Sequence, residues 1–117
     1  MPRTELQIIG QGAEQRALDY LQAQGLRLAE RNFQCKAGEL DLVMWDGPHL
    51  VFVEVRERGN PRYGGAAASI TPAKQRRIVR AAQYYLLRFP HTPPCRIDVV
   101  AIDSGQLHWL RNAIIEM

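Results

Sequence analysis

The apolar segment 38–58 contains charged residues within its two apolar runs, and three of them, Asp41, Glu54 and Arg56, could do chemistry together. Apolar and polar residues alternate there in two runs separated by turn residues, a pattern that predicts a β-hairpin. Asp41 lies on one face of the first strand, and Glu54 and Arg56 share one face of the second. The segment therefore predicts two acids and a base around one point of a sheet.

The turn of this hairpin determines how close the two acids lie. Asp, Gly and Pro in the segment 46–49 are typical turn residues. If all four form the turn, Trp45 pairs with Leu50. Asp41 then lies directly opposite Glu54, with Cβ atoms about 4.5–5.5 Å apart, where like charges repel. A two-residue turn would shift the pairing by two and make the acids diagonal neighbours. Carboxylates this close favour a cation, and a few oxygen ligands suit Mg²⁺.

A solvated sheet face is the alternative explanation for these three charged residues. The apolar residues around them argue against it, because 50–53 and Val55 are apolar on both faces of the strand, as in a strand covered on both sides. Acids embedded in such a strand need partners.

The chain has 117 residues, which predicts a single domain, 1–117, whose hydrophobic core is large enough to be stable without disulfides or a structural metal. Residues 1–9 show no clear period, and we expect them to be partly disordered. Cys35 and Cys95 lie far apart, which indicates free thiols in a reducing compartment. No apolar run reaches membrane-span length and no signal peptide is evident, so we expect a cytoplasmic protein without a membrane partner.

Basic residues are concentrated in one part of the chain, between Arg56 and Arg88. Eight bases and one acid give this segment a net charge of +7, so the rest of the chain carries −4 of the total of +3. The bases are Arg56, Arg58, Arg62, Lys74, Arg76, Arg77, Arg80 and Arg88. Such clustering beside paired acids favours a polyanionic partner, most commonly nucleic acid. A solvated helix face is the alternative.

The first predicted helix carries a third acid. Gly10-Gln11-Gly12 reads as a breaker, and a helical pattern runs over 12–24 until Gly25. Glu14 lies on the apolar stripe of this helix, which consists of Ala17, Leu18 and Leu21. The helix dipole explains an acid in the first turn but not an acid that faces inward. An inward Glu14 could reach the two acids of the hairpin.

The second predicted helix begins at Thr71-Pro72 and extends to about Phe89. Arg76 and Arg80 face away from its apolar side. Lys74 lies near the apolar side, so its ammonium group must either reach past it to solvent or meet an acid.

A glycine-rich segment, 59–70, precedes this helix and is expected to be a mobile loop beside the site. Within it, Arg62 and Tyr63 could contact a nucleic-acid backbone or stack on a base. Either residue alone could equally be an ordinary surface residue.

Strands are also predicted at 26–33, 96–102 and 107–112. Asn32 fits a turn or bulge, and Asp98 fits a pair with an arginine. The element order is helix, three antiparallel strands, helix and two strands, which predicts an α/β fold with a mixed five-stranded sheet flanked by helices.

These residues resemble the motifs of the YraN family of small bacterial proteins over nearly the whole chain. The matching segments are G-x-G-x-Glu14, A-x-x-Tyr20-Leu21, RNF, GELDLV, LVFVEVRER, TPAKQRRI and RIDVVAI. That family is similar to archaeal Holliday junction resolvases of the PD-(D/E)XK superfamily. The resemblance implies a restriction endonuclease-like core and a phosphodiesterase site that uses Mg²⁺ or Mn²⁺.

The resemblance also assigns roles to residues. Glu14 matches the acid of the first helix, Asp41 the motif aspartate and Glu54 the motif glutamate, and together they would hold the metal. The motif expects lysine where this chain has Arg56. Arginine can stabilise charge on a phosphate but is a poor proton acceptor. Lys74 is the candidate for a displaced lysine, since some superfamily members carry it on a helix.

Three functions remain open from the sequence. The first is a metal-dependent endonuclease on branched or structured DNA, whose backbone is held by the loop and by Arg58, Arg76, Arg77 and Arg80. Symmetrical cutting of a four-way junction would favour a homodimer. The second is a nucleic-acid-binding protein that kept the fold without turnover. The third, a structural or protein-interaction domain, predicts no salt-dependent affinity for nucleic acid.

Overall fold

A mixed five-stranded sheet is the centre of the fold. The computed structural model describes residues 5–59 and 65–115, with side chains for 12–59 and 65–115. The elements are α1 (Glu5–Ala23), β1 (Arg27–Cys35), β2 (Gly38–Asp46), β3 (His49–Arg58), α2 (Gly65–Ala68), α3 (Pro72–Leu86), β4 (Cys95–Asp103) and β5 (Gln106–Ile114).

The strands lie in the sheet in chain order, β1-β2-β3-β4-β5. Neighbours pair antiparallel except β3 and β4, which are parallel. A parallel pair needs a long crossover, and α2 and α3 provide it. The predicted fold class, a mixed sheet flanked by helices, is confirmed.

Each face of the sheet is covered by one long helix. On one face Ala17 and Leu21 of α1 pack in a buried cluster with Val51 and Val53 of β3. On the other face Phe52 packs in a second cluster with buried residues of α3, namely Ile78, Ala81, Ala82 and Tyr85. Because β3 is buried on both sides, the prediction of a doubly covered strand is confirmed.

The hairpin has the first of the two predicted registers, in which Trp45 pairs with Leu50. Its turn is shorter than the four residues expected, because the ladder continues to a pair between Asp46 and His49. Only Gly47 and Pro48 remain in the turn, and Gly47 has a φ of +58°. The expectation that a two-residue turn shifts the pairing was wrong. The pair of Asp46 and His49 shortens the turn by one residue on each strand, and this leaves the register of the other pairs unchanged.

The backbone is irregular where β1 passes the middle of β2. Asn32 has a φ of +53°, a left-handed conformation found in turns, but the register shift of the β1–β2 ladder lies between Leu28 and Glu30 and not at Asn32. Leu40 lies in the cluster under α3, whereas Leu42 and Met44 lie in the cluster under α1. The alternation of the sequence over 39–44 predicts one shared face for these three apolar residues. That prediction was wrong, because the strict alternation of a flat strand is lost at this point.

Helix α1 begins earlier than predicted. It starts at Glu5, so Gly10-Gln11-Gly12 lies inside it and is no breaker. Each interior glycine costs only about 1 kcal/mol, which the packing of the buried stripe around Ala17 outweighs. Residues 5–9 thus belong to the helix and 1–4 lie outside the described residues, so the partial disorder expected over 1–9 stays a prediction. Gly25, with a φ of +97°, follows the end of the helix as predicted.

Helix α3 begins as predicted. The Thr71 side chain accepts a 3.2 Å hydrogen bond from the backbone N–H of Lys74, and Pro72 occupies the first turn. The helix ends at Leu86, before the expected Phe89, and the next residues form tighter turns in which Phe89 N–H donates to the carbonyl of Leu86.

A short helix, α2, occupies part of the segment that was expected to be a loop. Asp103, in the β4–β5 connection, accepts a 2.6 Å hydrogen bond from the backbone N–H of Ala66. The next residue, Ser104, donates from its backbone N–H to the carbonyl of Arg58 and from its hydroxyl to the carbonyl of Gly59. Asp103 and Ser104 thus form hydrogen bonds with the residues on both sides of the segment 60–64.

Two further expectations concern the whole chain. None of the described helices combines the length and apolar character that crossing a membrane requires. Cys35 and Cys95, both in the described part of the chain, form no disulfide, as predicted.

Candidate functional site

The three acids predicted from the sequence meet where β2 and β3 separate. The β2–β3 ladder ends at the pair of Leu42 and Val53, one residue before Asp41 and Glu54. Beyond that point the backbone N–H of Val55 donates a 2.8 Å hydrogen bond to Asp41 Oδ2. The Asp41 carboxylate thus accepts an N–H that a backbone carbonyl of β2 would accept if the ladder continued. This hydrogen bond fixes the orientation of the carboxylate.

Glu14 of α1 lies beside Asp41, which confirms that this acid faces inward. Glu14, Glu39 and Asp41 each offer one carboxylate oxygen, and these three oxygens lie within 4.8 Å of one another. Glu39 was not among the predicted site residues. The signal was its position two residues before Asp41, which placed both acids on one face of β2.

Glu54 lies on the other side of Asp41 and has a different partner. Its Oε1 is 3.0 Å from Nη2 of Arg56, in an ion pair within one face of β3. Only 7% of Glu54 is exposed. The Glu54 carboxyl is also close enough to Asp41 for a hydrogen bond. Asp41 is therefore the shared centre of the acidic groups.

Burial and mutual repulsion shift the pKa values of these acids upward. Burial raises the pKa of Glu54 to about 8, helped by the charge of Asp41 and opposed by that of Arg56. Burial and the neighbouring Asp41 raise the pKa of Glu14 to about 7. The pKa values of Asp41 and Glu39 are also raised, in both cases mainly by burial. The cluster therefore carries more acid than its basic neighbours compensate.

The acids open into a cleft of about 270 Å³ between the sheet and the first turns of α3. It is lined by Gly38, Glu39, Asp41, Glu54, Arg56, Lys74, Arg77 and Ile78. Lys74 thus points towards the acids, in agreement with its position near the apolar side of the helix. Arg77 adds a second base from the same helix.

The remaining predicted bases do not all lie at this cleft. Arg76 and Arg80 line a separate groove of about 280 Å³, next to Ile114 and Ile115. Arg58 is exposed at the end of β3. The expected nucleic-acid-binding residues therefore occupy different sides of α3 and the end of β3, because neighbours in a helix point about 100° apart. Arg62 and Tyr63 lie outside the described residues.

Arg31 on β1 is a basic neighbour that the sequence did not indicate. Its Nη1 donates a 2.9 Å hydrogen bond to Oε1 of Gln15, and the charge of Arg31 opposes the rise in the pKa of Glu14. Within the described side chains, Nε of Arg31 and Nε of Arg56 are buried without a hydrogen-bond partner. Both guanidinium groups therefore keep a donor for an additional oxygen.

Asp98 belongs to a separate, structural network. It is fully buried, and its carboxylate accepts hydrogen bonds from Arg96 Nε at 3.0 Å and from Trp109 Nε1 at 3.0 Å. The backbone N–H of Asn112, a bulge residue of β5 with a φ of +52°, donates to it at 2.8 Å. Arg96 also pairs with Asp46 at 2.9 Å. The predicted arginine partner of Asp98 is confirmed.

Comparison with known proteins places this chain in a family. The model of "Uncharacterised protein family UPF0102" matches residues 13–102, a range that includes every acid and base of the cleft. A UPF0102 protein of Herminiimonas arsenicoxydans is 59% identical over 113 residues, covering 97% of this chain and 91% of the relative. Another, from Janthinobacterium sp. (strain Marseille), is 59% identical over 113 residues, with 97% and 92% covered.

A more distant relative gives the same result. A UPF0102 protein of Alkalilimnicola ehrlichii is 57% identical over 106 residues, which cover 89% of this chain and 84% of that protein. The chain therefore belongs to uncharacterised protein family UPF0102, the YraN family that its motifs resemble.

Proposed function

We propose that this chain is a metal-dependent endonuclease that hydrolyses phosphodiester bonds in structured DNA, of the Holliday junction resolvase-like type. The observation that carries the proposal is the meeting of Glu14, Asp41 and Glu54, which come from three different elements, beside a cleft that Asp41 and Glu54 share with Arg56, Lys74 and Arg77. Acids that converge beside bases suit a bound cation and a phosphate.

The acids of the cleft fit a hard divalent cation. All the donors are carboxylate oxygens, the ligand type that Mg²⁺ and Mn²⁺ accept. Burial and the neighbouring Asp41 raise the pKa values of Glu14 and Glu54, and a bound cation would favour the charged forms of both acids. Asp41 and its neighbours would hold the ion. A cation bound there would lower the pKa of a water molecule and stabilise charge on the scissile phosphate.

The bases of the cleft divide the remaining tasks. Arginine is a poor proton acceptor, so Arg56 suits the binding of a phosphate oxygen better than the activation of a water molecule. Lys74 lines the same cleft, and it is the residue type that the superfamily motif expects. We therefore assign the lysine role of the superfamily motif to Lys74, with Arg56 and Arg77 as electrostatic partners of the phosphate.

The other arginines of α3 would extend the contact with the nucleic acid. Going around the helix, Lys74 and Arg77 face the acids, and Arg80 and Arg76 follow on the outer side. This forms a basic band that leads away from the cleft. Contacts from such a band reach the phosphate backbone and carry little sequence information. A substrate recognised by shape, such as a branched DNA, suits this arrangement.

A second candidate function is a nucleic-acid-binding protein without turnover. The observation that favours it is the 3.0 Å ion pair between Arg56 and Glu54, in the position where the motif has a lysine. A guanidinium group of Arg56 that stays paired with Glu54 would weaken the binding of a metal by Glu54. The basic surface for nucleic acid would be preserved.

Cleavage of a labelled panel of a four-way junction, a flap, a single strand and a duplex, with Mg²⁺ or Mn²⁺, tests the proposal. Wild type is compared with Glu54→Gln and with Glu57→Gln, which removes an exposed acid from the same strand. Cutting by wild type and Glu57→Gln but not by Glu54→Gln supports the nuclease. Equal cutting by all three indicates a contaminant, and binding without cutting supports the second candidate. Paired cuts in the junction would indicate a homodimer.

A further inference from the structure

We propose that Glu39 is a ligand of the divalent cation together with Glu14 and Asp41, and that Glu54 remains paired with Arg56 and does not bind the ion directly. The inference rests on the proposed function, because it concerns the ligands of the same cation. It differs from the ligand set that the motifs imply, in which Glu54 binds the metal and Glu39 has no role.

The distances among the carboxylates favour Glu39. One oxygen each from Glu14, Glu39 and Asp41 lie within 4.8 Å of one another. Two oxygens bound to the same Mg²⁺ ion are at most about 4.2 Å apart, twice the usual metal–oxygen distance. Small side-chain movements would therefore bring these three oxygens around one ion. Glu54 is not a member of this close group.

The existing contacts of the acids favour the same division. Glu54 is engaged by Arg56 at 3.0 Å and is nearly buried. Of the ion pairs formed within the described side chains, none includes Glu14, Glu39 or Asp41. Among the described residues, Asp41 accepts the N–H of Val55 and otherwise forms hydrogen bonds only with the carboxyl groups of Glu14 and Glu54, contacts that a bound cation could replace. The three acids without an ion-pair partner are thus the three that lie together.

The position of Glu39 also suits the entry of an ion. Glu39 is exposed at the edge of the cleft, whereas Glu14 and Asp41 are partly buried. Mg²⁺ keeps several of its waters, so a ligand at the solvent side can bind an ion that is still hydrated. A Cβ atom added at Gly38, the residue before Glu39, would lie 3.5 Å from Cβ of Arg77, so the start of β2 lies close to α3.

Mn²⁺ binding to the purified protein without nucleic acid tests the inference, by calorimetry and by the electron paramagnetic resonance signal of the free ion. The variants are Glu39→Gln, Glu54→Gln and the conservative Glu39→Asp. The control Glu57→Gln changes the net charge by the same amount at an exposed position of β3. We expect Glu39→Gln to weaken Mn²⁺ binding at least tenfold, Glu54→Gln less than that, and Glu57→Gln not measurably. Glu39→Asp should retain binding within about threefold.

Each outcome has a separate meaning. Glu39→Gln with the Mn²⁺ affinity of Glu57→Gln would overturn the inference and leave the nuclease proposal standing. A loss in Glu54→Gln as large as in Glu39→Gln would overturn the exclusion of Glu54. Wild type that binds no Mn²⁺ would remove the cation site, and with it the proposed function. Binding that depends on Glu39, in a protein that cuts none of the DNA panel, would support the inference against the nuclease.

Discussion

Nη2 of Arg56 lies 3.0 Å from Oε1 of Glu54, so the base that replaces the motif lysine is already engaged by the motif glutamate. The pair is partly shielded, with 27% of the arginine side chain and 9% of the glutamate side chain exposed. Charge-assisted contacts of this kind are stronger than ordinary hydrogen bonds. A phosphate that approaches Arg56 must therefore share the guanidinium with Glu54 or displace it.

Replacement of Arg56 by lysine should release part of this constraint. Lysine has a shorter side chain with one compact charge, and it can exchange a proton. We therefore expect the Arg56→Lys variant to cut DNA about tenfold faster than wild type. Single-turnover rates at saturating protein concentration measure the change. A slower variant would contradict this expectation and show that the planar guanidinium of Arg56 is required for binding the phosphate.

Lys74 and Arg76, two residues apart on α3, should behave differently. Lys74 lines the acidic cleft and Arg76 lines the outer groove. We expect Lys74→Met to reduce the single-turnover cleavage rate about 100-fold, a typical size for the loss of a general acid–base group, with little change in DNA affinity. Arg76→Met should weaken binding and reduce its salt dependence, with an unchanged rate at saturation.

Equal effects of the two substitutions on the rate would contradict this division. Titration of DNA binding against salt concentration, carried out with both variants, separates a backbone contact from a catalytic one.

The metal-free protein should become less stable as the pH rises. The folded-state pKa of Glu54 is about 8, against an ordinary value of 4.5, so the folded protein holds a proton that the unfolded chain has lost. The stability from this group is complete below pH 4.5 and is lost as the pH rises through 8. The side chain introduced by Glu54→Gln cannot ionise, so at pH 8 this variant should be more stable than wild type by about 4 kcal/mol.

Urea unfolding in the presence of a chelator, at several pH values, measures this difference. The advantage of Glu54→Gln should shrink as the pH falls and disappear near pH 4.5. An advantage that does not depend on pH would mean that the substitution acts through packing.

Asp98 should matter for stability far more than for chemistry. Its buried carboxylate accepts hydrogen bonds from Arg96, from Trp109 and from the backbone of the bulge in β5. Asp98→Ala would leave the Arg96 charge without its buried partner, and we expect a loss of about 3–5 kcal/mol in the free energy of unfolding. Urea denaturation measures it. Glu30→Ala, which breaks the more exposed pair with Arg88, should cost no more than about 1 kcal/mol.

Much of the site could be predicted because local periodicity decides it. The two-residue repeat of the hairpin placed Asp41 and Glu54 close together, and the helical repeat turned Glu14 inward and Lys74 towards the sheet. These residues needed only the correct element and register. The same repeat placed Glu39 on the face of Asp41, but its closeness to Glu14 depends on how α1 packs, which the sequence does not express.

The features that were missed depend on contacts between distant residues. The start of α1 at Glu5 overrides two glycines, because a buried stripe further along stabilises the whole helix. The short α2 is held by Asp103, which lies 37 residues after Ala66. Leu40 changed sides at an irregularity next to Asn32, and Arg31 meets Gln15 across 16 residues of chain. None of these leaves a periodic signal in the sequence.

The attachment of both sides of the segment 60–64 to the β4–β5 turn has a consequence for chain connectivity. Ser104 donates hydrogen bonds to the carbonyls of Arg58 and Gly59. Its neighbour Asp103 accepts a hydrogen bond from the backbone N–H of Ala66. A break in the covalent chain between Gly59 and Gly65 would leave both new ends tied to one turn, with β3 and β4 still paired side by side. The protein thus offers a natural position for new termini in a circularly permuted chain.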